Sequence, residues 1–147
     1  MTKIIIASGP VIVENGKVLL NKHGEDVFWK FCGGKVEDYN TNLADNARRE
    51  VKEEMGITRI RVIAPLGRID WWFRERRGTA HSPKGALVNK FAYYFLMQVP
   101  TQTKLKAQKS ELIRAVRFVP IVQALKLSGY KDVQPVLKKA LDILSRA

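Results

Sequence analysis

Cysteine and histidine are scarce in this chain of 147 residues: Cys32 is the only cysteine, and His23 and His81 are the only histidines. A single cysteine excludes an internal disulfide and fits a reducing compartment. So few sulfur and imidazole ligands also argue against zinc, which they usually bind in proteins. A metal bound by this chain is therefore expected to have oxygen ligands, which are typical of magnesium and manganese.

Long apolar runs are also missing, although 46% of the residues are hydrophobic. The apolar stretch within residues 1–6 is too short for a signal peptide, and no segment approaches the roughly 20 apolar residues of a membrane-spanning helix. We therefore expect a cytoplasmic protein. The length suits a single domain, residues 1–147, which can bury roughly two thirds of the surface of its unfolded chain.

Acidic residues are few relative to basic ones, and their distribution is uneven. The chain has 26 Lys and Arg against 14 Asp and Glu, for a net charge of +12. Residues 1–57 hold eight basic and nine acidic groups, a net −1, whereas residues 58–147 hold eighteen and five, a net +13. Such a basic surround would attract polyanionic substrates toward an acidic centre.

Composition and turn signals predict a β-sheet. Segments 4–13 and 17–22 are rich in β-branched and aliphatic residues, and Asn15-Gly16 between them is typical of a two-residue hairpin turn. Three later segments share the strand-like composition: 59–65, 67–74 and 86–99. The centre of the chain is therefore expected to form a mixed sheet that opens with an antiparallel pair.

Three segments have the apolar spacing of helices: 43–55, 119–127 and 133–144. For the first, a residue among 40–42 can cap the N-terminus, and Gly56 can end the helix. This order of strands and helices predicts an α/β fold, an α/β/α sandwich with a central mixed β-sheet between helices.

The first of these helices ends in a run of charged residues. Arg49 and Glu50 are followed by Glu53 and Glu54, and Gly56 comes two residues later. At about 100° per residue, the three carboxylates fall within a narrow arc of the helix. Like charges repel at this spacing, and a divalent cation such as Mg²⁺ or Mn²⁺ would make the cluster favourable. The alternative is an ordinary exposed helix on which these charges are surface residues.

A glycine pair lies shortly before this helix, in the segment Phe31-Cys32-Gly33-Gly34-Lys35. Glycine allows the backbone to turn sharply and brings a carbonyl close to a bound ion. The order of glycine loop, acidic helix and closing Gly56-Ile57 favours a metal site over surface charge.

These residues resemble the signature of the Nudix (MutT-like) hydrolases: Gly, five residues, Glu, seven residues, then Arg-Glu-aliphatic-any-Glu-Glu-any-Gly-aliphatic. Residues 49–57 match the second half at every position. The first half departs, because Gly34 lies one residue too far upstream, Thr41 stands where the family has Glu, and Cys32 replaces the common proline. An insertion within residues 38–41 explains why Gly34 lies one residue too far upstream. We therefore expect a rebuilt loop that leaves the site active.

The resemblance implies a Nudix-type sandwich that binds divalent metal ions, Mg²⁺ or Mn²⁺. The metal ligands that it implies are Glu50, Glu53, Glu54 and the carbonyl of Gly33. Arg49 is expected to orient the carboxylates, and Glu53 and Glu54 are expected to be catalytic and to face solvent. A further base often comes from a later loop in this family, where Glu111 lies, although an ordinary loop acid is the alternative. Glu75 is a weaker candidate.

Substrate contacts are expected in the basic second part of the chain. The candidates are Arg68, Trp72, Arg74 and Lys90. In a strand, Trp72 should face opposite to Trp71 and Phe73, which leaves a large ring on each side of the sheet, and one ring can stack on a base. The alternatives are core packing for the rings and a solvated surface for the cations.

The resemblance implies that water and divalent ions cleave the phosphoanhydride of a nucleoside diphosphate linked to another group. Members that act on ADP-ribose commonly have a proline sixteen residues after the signature, where this chain has Phe73. A nucleoside triphosphate or other polyphosphorylated nucleotide is therefore favoured as the small-molecule partner. Two alternatives stay open: a basic domain that binds nucleotide or nucleic acid without efficient turnover, and hydrolysis at a capped or triphosphorylated RNA end. The oligomeric state, including a homodimer, also stays open.

Overall fold

The computed structural model describes residues 2–23, 31, 33–37, 41–76, 78, 83–100, 113–127 and 134–146. Its elements in chain order are β1 (Thr2–Glu14), β2 (Lys17–His23), β3 (Gly34–Lys35), α1 (Leu43–Met55), β4 (Arg61–Arg74), β5 (Leu87–Gln98), β6 (Ile113–Pro120), α2 (Ile121–Leu127) and α3 (Gln134–Ser145). Within these ranges, no helix is long and apolar enough to cross a membrane.

The six strands form one mixed sheet. Five of them lie in the order β4-β5-β1-β2-β6, and β3 pairs with β1 outside this path. β1 and β5 are parallel along their whole length, from Thr2 opposite Leu87 to Val13 opposite Gln98. The other pairings are antiparallel. The mixed sheet predicted from the sequence is confirmed.

The hairpin between β1 and β2 forms at the predicted turn. Val13 lies opposite Val18, and Glu14 lies opposite Lys17. Both central residues have positive φ angles, 50° for Asn15 and 74° for Gly16. This conformation matches the right-handed twist of the flanking strands, and Asn-Gly is the dipeptide that adopts it most readily.

Helices cover both faces of the sheet, and a separate apolar core lies under each. The core under α1 contains Ile12, Leu19, Ala47, Val51, Met55, Ile57, Met97 and Val99. The core under α2 and α3 contains, among others, Val11, Val13, Leu96, Val119, Ala124, Val136 and Leu137. Consecutive residues of β1 alternate between the two cores, as the pleat of a strand requires. The predicted α/β/α sandwich is therefore confirmed.

Two predicted boundaries were wrong. Segments 59–65 and 67–74 form the single strand β4, because irregularities in its pairing with β5 accommodate Pro65 and Gly67 without ending the strand. The helix predicted over 119–127 begins only at Ile121, because Val119 and Pro120 close β6 against β2. Strand β6 and the two-residue β3 were not predicted from the sequence.

Candidate active site

The helix α1 has a well-defined start and end. At the N-terminus, the side chain of Asn42 accepts a hydrogen bond of 2.8 Å from the backbone N–H of Asp45. At the C-terminus, Gly56 adopts a left-handed conformation with φ 69° and donates its N–H to the carbonyl of Lys52. Both caps satisfy backbone groups that a helix end leaves unpaired. The predicted bounds of 43–55 are confirmed.

The helix packs on the sheet in a way that buries part of its acidic face. The residues completely buried against the sheet are Ala47, Val51 and Met55. Beside them, Glu50 is 8% exposed and Glu54 is 6% exposed, whereas the side chain of Glu53 is 40% exposed. The expectation of solvent exposure is confirmed for Glu53 and was wrong for Glu54, which lies under the glycine loop.

The glycine loop contacts both buried carboxyl groups. The N–H of Gly33 donates a hydrogen bond of 3.2 Å to Oε2 of Glu54. Gly34 lies so close to Glu50 that any Cβ at this position would overlap the Glu50 carboxyl group. Gly33 has a φ of 152°, and a Cβ there would lie 3.1 Å from the carbonyl oxygen of Ser8. The glycine pair thus lets the loop approach the helix closely, and at Gly33 the positive φ and the nearby Ser8 backbone disfavour any other residue.

A buried polar pair fastens this loop to the start of α1. Asn46 donates from Nδ2 to Oγ of Ser8 at 2.8 Å and to the carbonyl of Gly34 at 3.1 Å. Ser8 in turn donates to the carbonyl of Leu43 at 2.7 Å. Neither Asn46 nor Ser8 was predicted from the sequence as a site residue. Asn46 could have been found, because it precedes Glu50 by four residues and so lies on the same helical face.

Arg49 connects these groups to the exposed carboxylate. Its Nη1 donates to both carboxylate oxygens of Glu53, at 2.9 and 3.0 Å. Its Nη2 lies 2.9 Å from Oε1 of Glu50 and 2.9 Å from Oδ1 of Asn46. Partial burial lowers the pKa of Arg49, but the hydrogen bond to Glu53 and the nearby carboxylates together raise it above its ordinary value. We call Asn46, Arg49, Glu50, Glu53 and Glu54 the acidic flank of α1.

The acidic flank has the donor chemistry of a site for a hard divalent ion. Carboxylate oxygens are the ligands that Mg²⁺ and Mn²⁺ prefer, and the Glu50 carboxyl group lies against the backbone of Gly34. In the described residues, no group of three or more His, Cys, Asp and Glu side chains is close enough together to hold a metal ion. Glu53 is held by Arg49, and Glu54 is bonded to Gly33. Metal binding by Glu50, Glu53, Glu54 and Gly33 stays a prediction.

The four predicted substrate contacts lie on two different faces of the sheet. Lys90 lies opposite Trp71 in the sheet, and its Nζ is 5.5 Å from the centre of the Trp71 ring. Trp72 is 58% exposed and by strand alternation faces the other way, as predicted. Arg68 and Arg74, at even positions from Trp72, share its face. The sequence suggested one group of four side chains, but in the sheet Lys90 lies on the face opposite to Arg68, Trp72 and Arg74.

Three sequence predictions concern residues outside the described ranges. Glu111, the proposed additional base, is one of them, and residues 38–40 of the proposed insertion are another. Cys32, which replaces the proline before the glycine pair, is the third. The roles of these residues stay predictions.

Comparison with known proteins identifies the family. The family model described as NUDIX domain matches residues 4–140. Among curated proteins, none matches the chain. A C. elegans Ap4A hydrolase, solved as a binary complex, has a similar fold, with a TM-score of 0.73 and 20% identity over 97% of this chain and 99% of that one.

Two further solved structures share the fold. The E. coli dihydroneopterin triphosphate pyrophosphohydrolase has a TM-score of 0.74 and 17% identity, covering 93% of this chain and 95% of that one. A MutT protein from Methanosarcina mazei Go1 has a TM-score of 0.69 and 19% identity, covering 99% and 98%. The family model spans nearly the whole chain and includes the glycine loop and α1. The chain therefore belongs to the Nudix family, and the fold and enzyme class predicted from its sequence, a Nudix hydrolase with an α/β/α sandwich, are confirmed.

Proposed function

We propose that this protein is a divalent-metal-dependent pyrophosphohydrolase that cleaves the phosphoanhydride of a nucleoside diphosphate linked to another group. The favoured substrate is a nucleoside triphosphate or another polyphosphorylated nucleotide, and the favoured ion is Mg²⁺, with Mn²⁺ as the alternative. We further propose that residues 1–147 act as one domain and that the protein is cytoplasmic.

The observation that supports this proposal best is the contact between the glycine loop and the acidic flank. Gly33 bonds to Glu54, Gly34 lies against Glu50, and Asn46 fixes the loop carbonyl beside them. Two carboxylates with little solvent exposure are costly to keep charged unless cations compensate them. Arg49 pairs with Glu50 and Glu53. A divalent cation is a chemically suitable further partner for these carboxylates.

The residues of the acidic flank have separate roles in the proposed reaction. Glu50, Glu53 and Glu54, with the carbonyl of Gly33, would hold the divalent ions, which supply charge neutralisation on the phosphates and acidify a water molecule. Arg49 would orient Glu50 and Glu53, since one guanidinium bonds to both. Glu111 would accept the proton of the attacking water. The proposed substrate contacts are Arg68, Trp72, Arg74 and Lys90.

The names of two similar proteins support a polyphosphorylated substrate. One neighbour is an Ap4A hydrolase and another is a dihydroneopterin triphosphate pyrophosphohydrolase. Each name denotes a compound that carries a chain of phosphates. These names support the class of bond that we propose for this chain, a phosphoanhydride.

A substrate panel with and without Mg²⁺ tests the proposal. The panel would contain the common nucleoside triphosphates, a dinucleoside polyphosphate and RNA with a triphosphorylated or capped end. We expect Mg²⁺-dependent turnover of at least one nucleotide, and the phosphate-containing product identifies the bond that breaks. Glu14→Gln, at the far end of β1 beside the hairpin, is the matched control for Glu53→Gln.

The uneven charge keeps one alternative function under test. A Nudix-type domain without efficient turnover would bind members of this panel but release no product with any divalent ion. That result would overturn the proposed activity and favour the binding function. Turnover of the RNA substrates alone would instead replace the favoured small nucleotide with an RNA end.

A further inference from the structure

Two further arginines lie at the end of the sheet where β4 begins and β5 ends. Arg61 is the first residue of β4 and lies opposite Gln98, the last residue of β5. An open pocket of about 410 Å³ is found at this end. We call it the terminal pocket, and it is lined by Arg59, Ile60, Arg61, Gln98, Val99 and Pro100.

The polar side chains of the terminal pocket offer hydrogen-bond donors. Arg59 and Arg61 are both exposed, and a guanidinium group has several N–H donors and no acceptor. Nη2 of Arg61 donates to Oε1 of Gln98 at 3.0 Å, which leaves the amide NH₂ of Gln98 as a donor. A ligand held by these side chains must therefore be rich in acceptors.

The two arginines lie on the same side of the chain. Ile60 and Val62 both pack against the core under α1, so the residues that alternate with them point away from that core. Arg59 and Arg61 are two residues apart, which corresponds to about 7 Å along an extended chain. Two guanidinium groups at this spacing can bind one phosphate group or two neighbouring ones.

The charge around the terminal pocket is positive. Residues 55–69 contain three Arg and no Asp or Glu, and residues 86–110 contain four Lys and no Asp or Glu. Among the residues that the structure describes, no acidic side chain forms an ion pair with either pocket arginine. By register, the closest acidic residue in the described strands is Glu14, one residue beyond the row of Gln98, and it lies opposite Lys17.

The carboxylates of α1 are held away from this pocket. Glu54 bonds to Gly33, in the loop that pairs with Ser8 on the edge of β1 opposite to β5. The other two carboxylates of the acidic flank are bonded to Arg49. Along β1, the row of Ser8 lies five residues, or about 17 Å, from the row of Gln98. The terminal pocket is therefore separate from the proposed catalytic centre.

Apolar residues form part of the pocket wall. Ile60 and Val99 belong to the core under α1, and Val99 is only 4% exposed. A wall of low polarity screens charge less than water does, so it strengthens the attraction between the arginines and an anion.

We propose that the terminal pocket binds a phosphate-bearing anion. This binding is additional to the proposed hydrolysis and does not depend on it. It is supported by two exposed guanidinium groups at a spacing that suits phosphate, by a third donor on Gln98, and by a surround without acidic partners.

A phosphorus NMR titration of inorganic pyrophosphate with the full chain tests this proposal. EDTA removes divalent ions, so that the acidic flank repels the probe, and the ionic strength is held constant. We expect saturable binding that depends on the pocket arginines. A parallel titration with ADP distinguishes a free phosphate chain from the diphosphate of a nucleotide, which are two sources of the same chemistry.

Variants then locate the binding site. Arg59→Gln and Arg61→Gln should each weaken pyrophosphate binding roughly fivefold, the upper range for one exposed charge contact, and the double variant should weaken it further. Arg61→Lys should lose less affinity than Arg61→Gln, because lysine keeps the charge but not the planar fork. Arg117→Gln is the matched control, since it removes an exposed arginine from β6 at the opposite edge of the sheet.

Two outcomes would overturn the proposal. The first is an equal loss of affinity in Arg61→Gln and Arg117→Gln, which would indicate attraction by the net charge alone. The second is unchanged affinity in the double variant, which would place the anion elsewhere on the protein. Thermal unfolding of each variant without ligand checks that the fold is intact, as expected for exposed side chains. Turnover with Mg²⁺ is measured separately, so failure of this proposal leaves the proposed hydrolysis untouched.

Discussion

The acidic flank of α1 and the exposed side of β4, with Arg68, Trp72 and Arg74, hold their side chains in opposite ways. In the acidic flank, Arg49 contacts two carboxylates and an amide, and the glycine loop bonds to a third carboxylate. On the exposed side of β4, the guanidinium of Arg68 lies over the ring of Phe91, and Trp72 is 58% exposed. The first arrangement fixes the positions of its groups before a ligand arrives, which suits chemistry at one atom. The second leaves its groups accessible, which suits the proposed contacts to substrate.

The largest expected effect tests whether the acidic flank has a catalytic role. We expect Glu53→Gln to lower kcat by more than the roughly 10- to 100-fold that is typical when a residue supporting a metal ligand is lost. The amide keeps the size of the side chain but removes the charge that would hold the ion. Steady-state kinetics of the variant with Mg²⁺, together with calorimetric titration of the ion, measure both effects. Activity close to that of Glu14→Gln would remove Glu53 from the mechanism.

A smaller effect is expected from the residue that connects the carboxylates. Arg49→Lys keeps the positive charge but loses the planar fork that bonds Glu53, Glu50 and Asn46 together. We expect a 10- to 100-fold loss of turnover, roughly the effect of removing a supporting contact. Arg48→Lys is the control, because Arg48 is an exposed neighbour whose ion pair is with Asp45. Equal losses in both variants would contradict an orienting role for Arg49.

Asn46 tests whether the flank is fastened to the glycine loop. Asn46→Ala removes the donors to Ser8 and Gly34 and leaves buried polar groups without their partner. We expect the free energy of unfolding to fall by about 1–3 kcal/mol, the usual cost of such groups. Urea denaturation measures this change, with Asn42→Ala as a comparison that removes only the exposed helix cap. An unchanged midpoint for Asn46→Ala would mean that the loop is held by other contacts.

The contrast between the two regions also explains what could be predicted from the sequence. The helix α1 was predicted to the residue, because its caps, apolar spacing and closing glycine all lie within the segment itself. The burial of Glu54 was not, because it depends on a loop more than twenty residues away along the chain. Strand β6 was missed for a similar reason, since its pairing with β2 connects distant parts of the chain. Alternation along β5 could not by itself show on which face of the sheet Lys90 lies. Its pairing with Trp71 places Lys90 on the face opposite to Trp72.

The smallest effect is expected from the basic side chains, and it should differ between the two faces of the sheet. Arg68→Gln should raise KM about two- to fivefold with little change in kcat, since an exposed charge contact contributes up to about 1 kcal/mol. Lys90→Gln should raise KM less, because Lys90 lies against Trp71 on the face opposite to α1. The acidic flank belongs to the helix on the face of Arg68, so a phosphate held there is closer to Arg68 than to Lys90. Steady-state kinetics at two salt concentrations distinguish a direct contact from a general electrostatic field. If the basic charge acts only as a general field, added salt should raise KM alike for the wild type and both variants, because salt screens that field. Equal increases in KM for the two variants would show that the basic charge acts as a field and that neither side chain contacts the substrate.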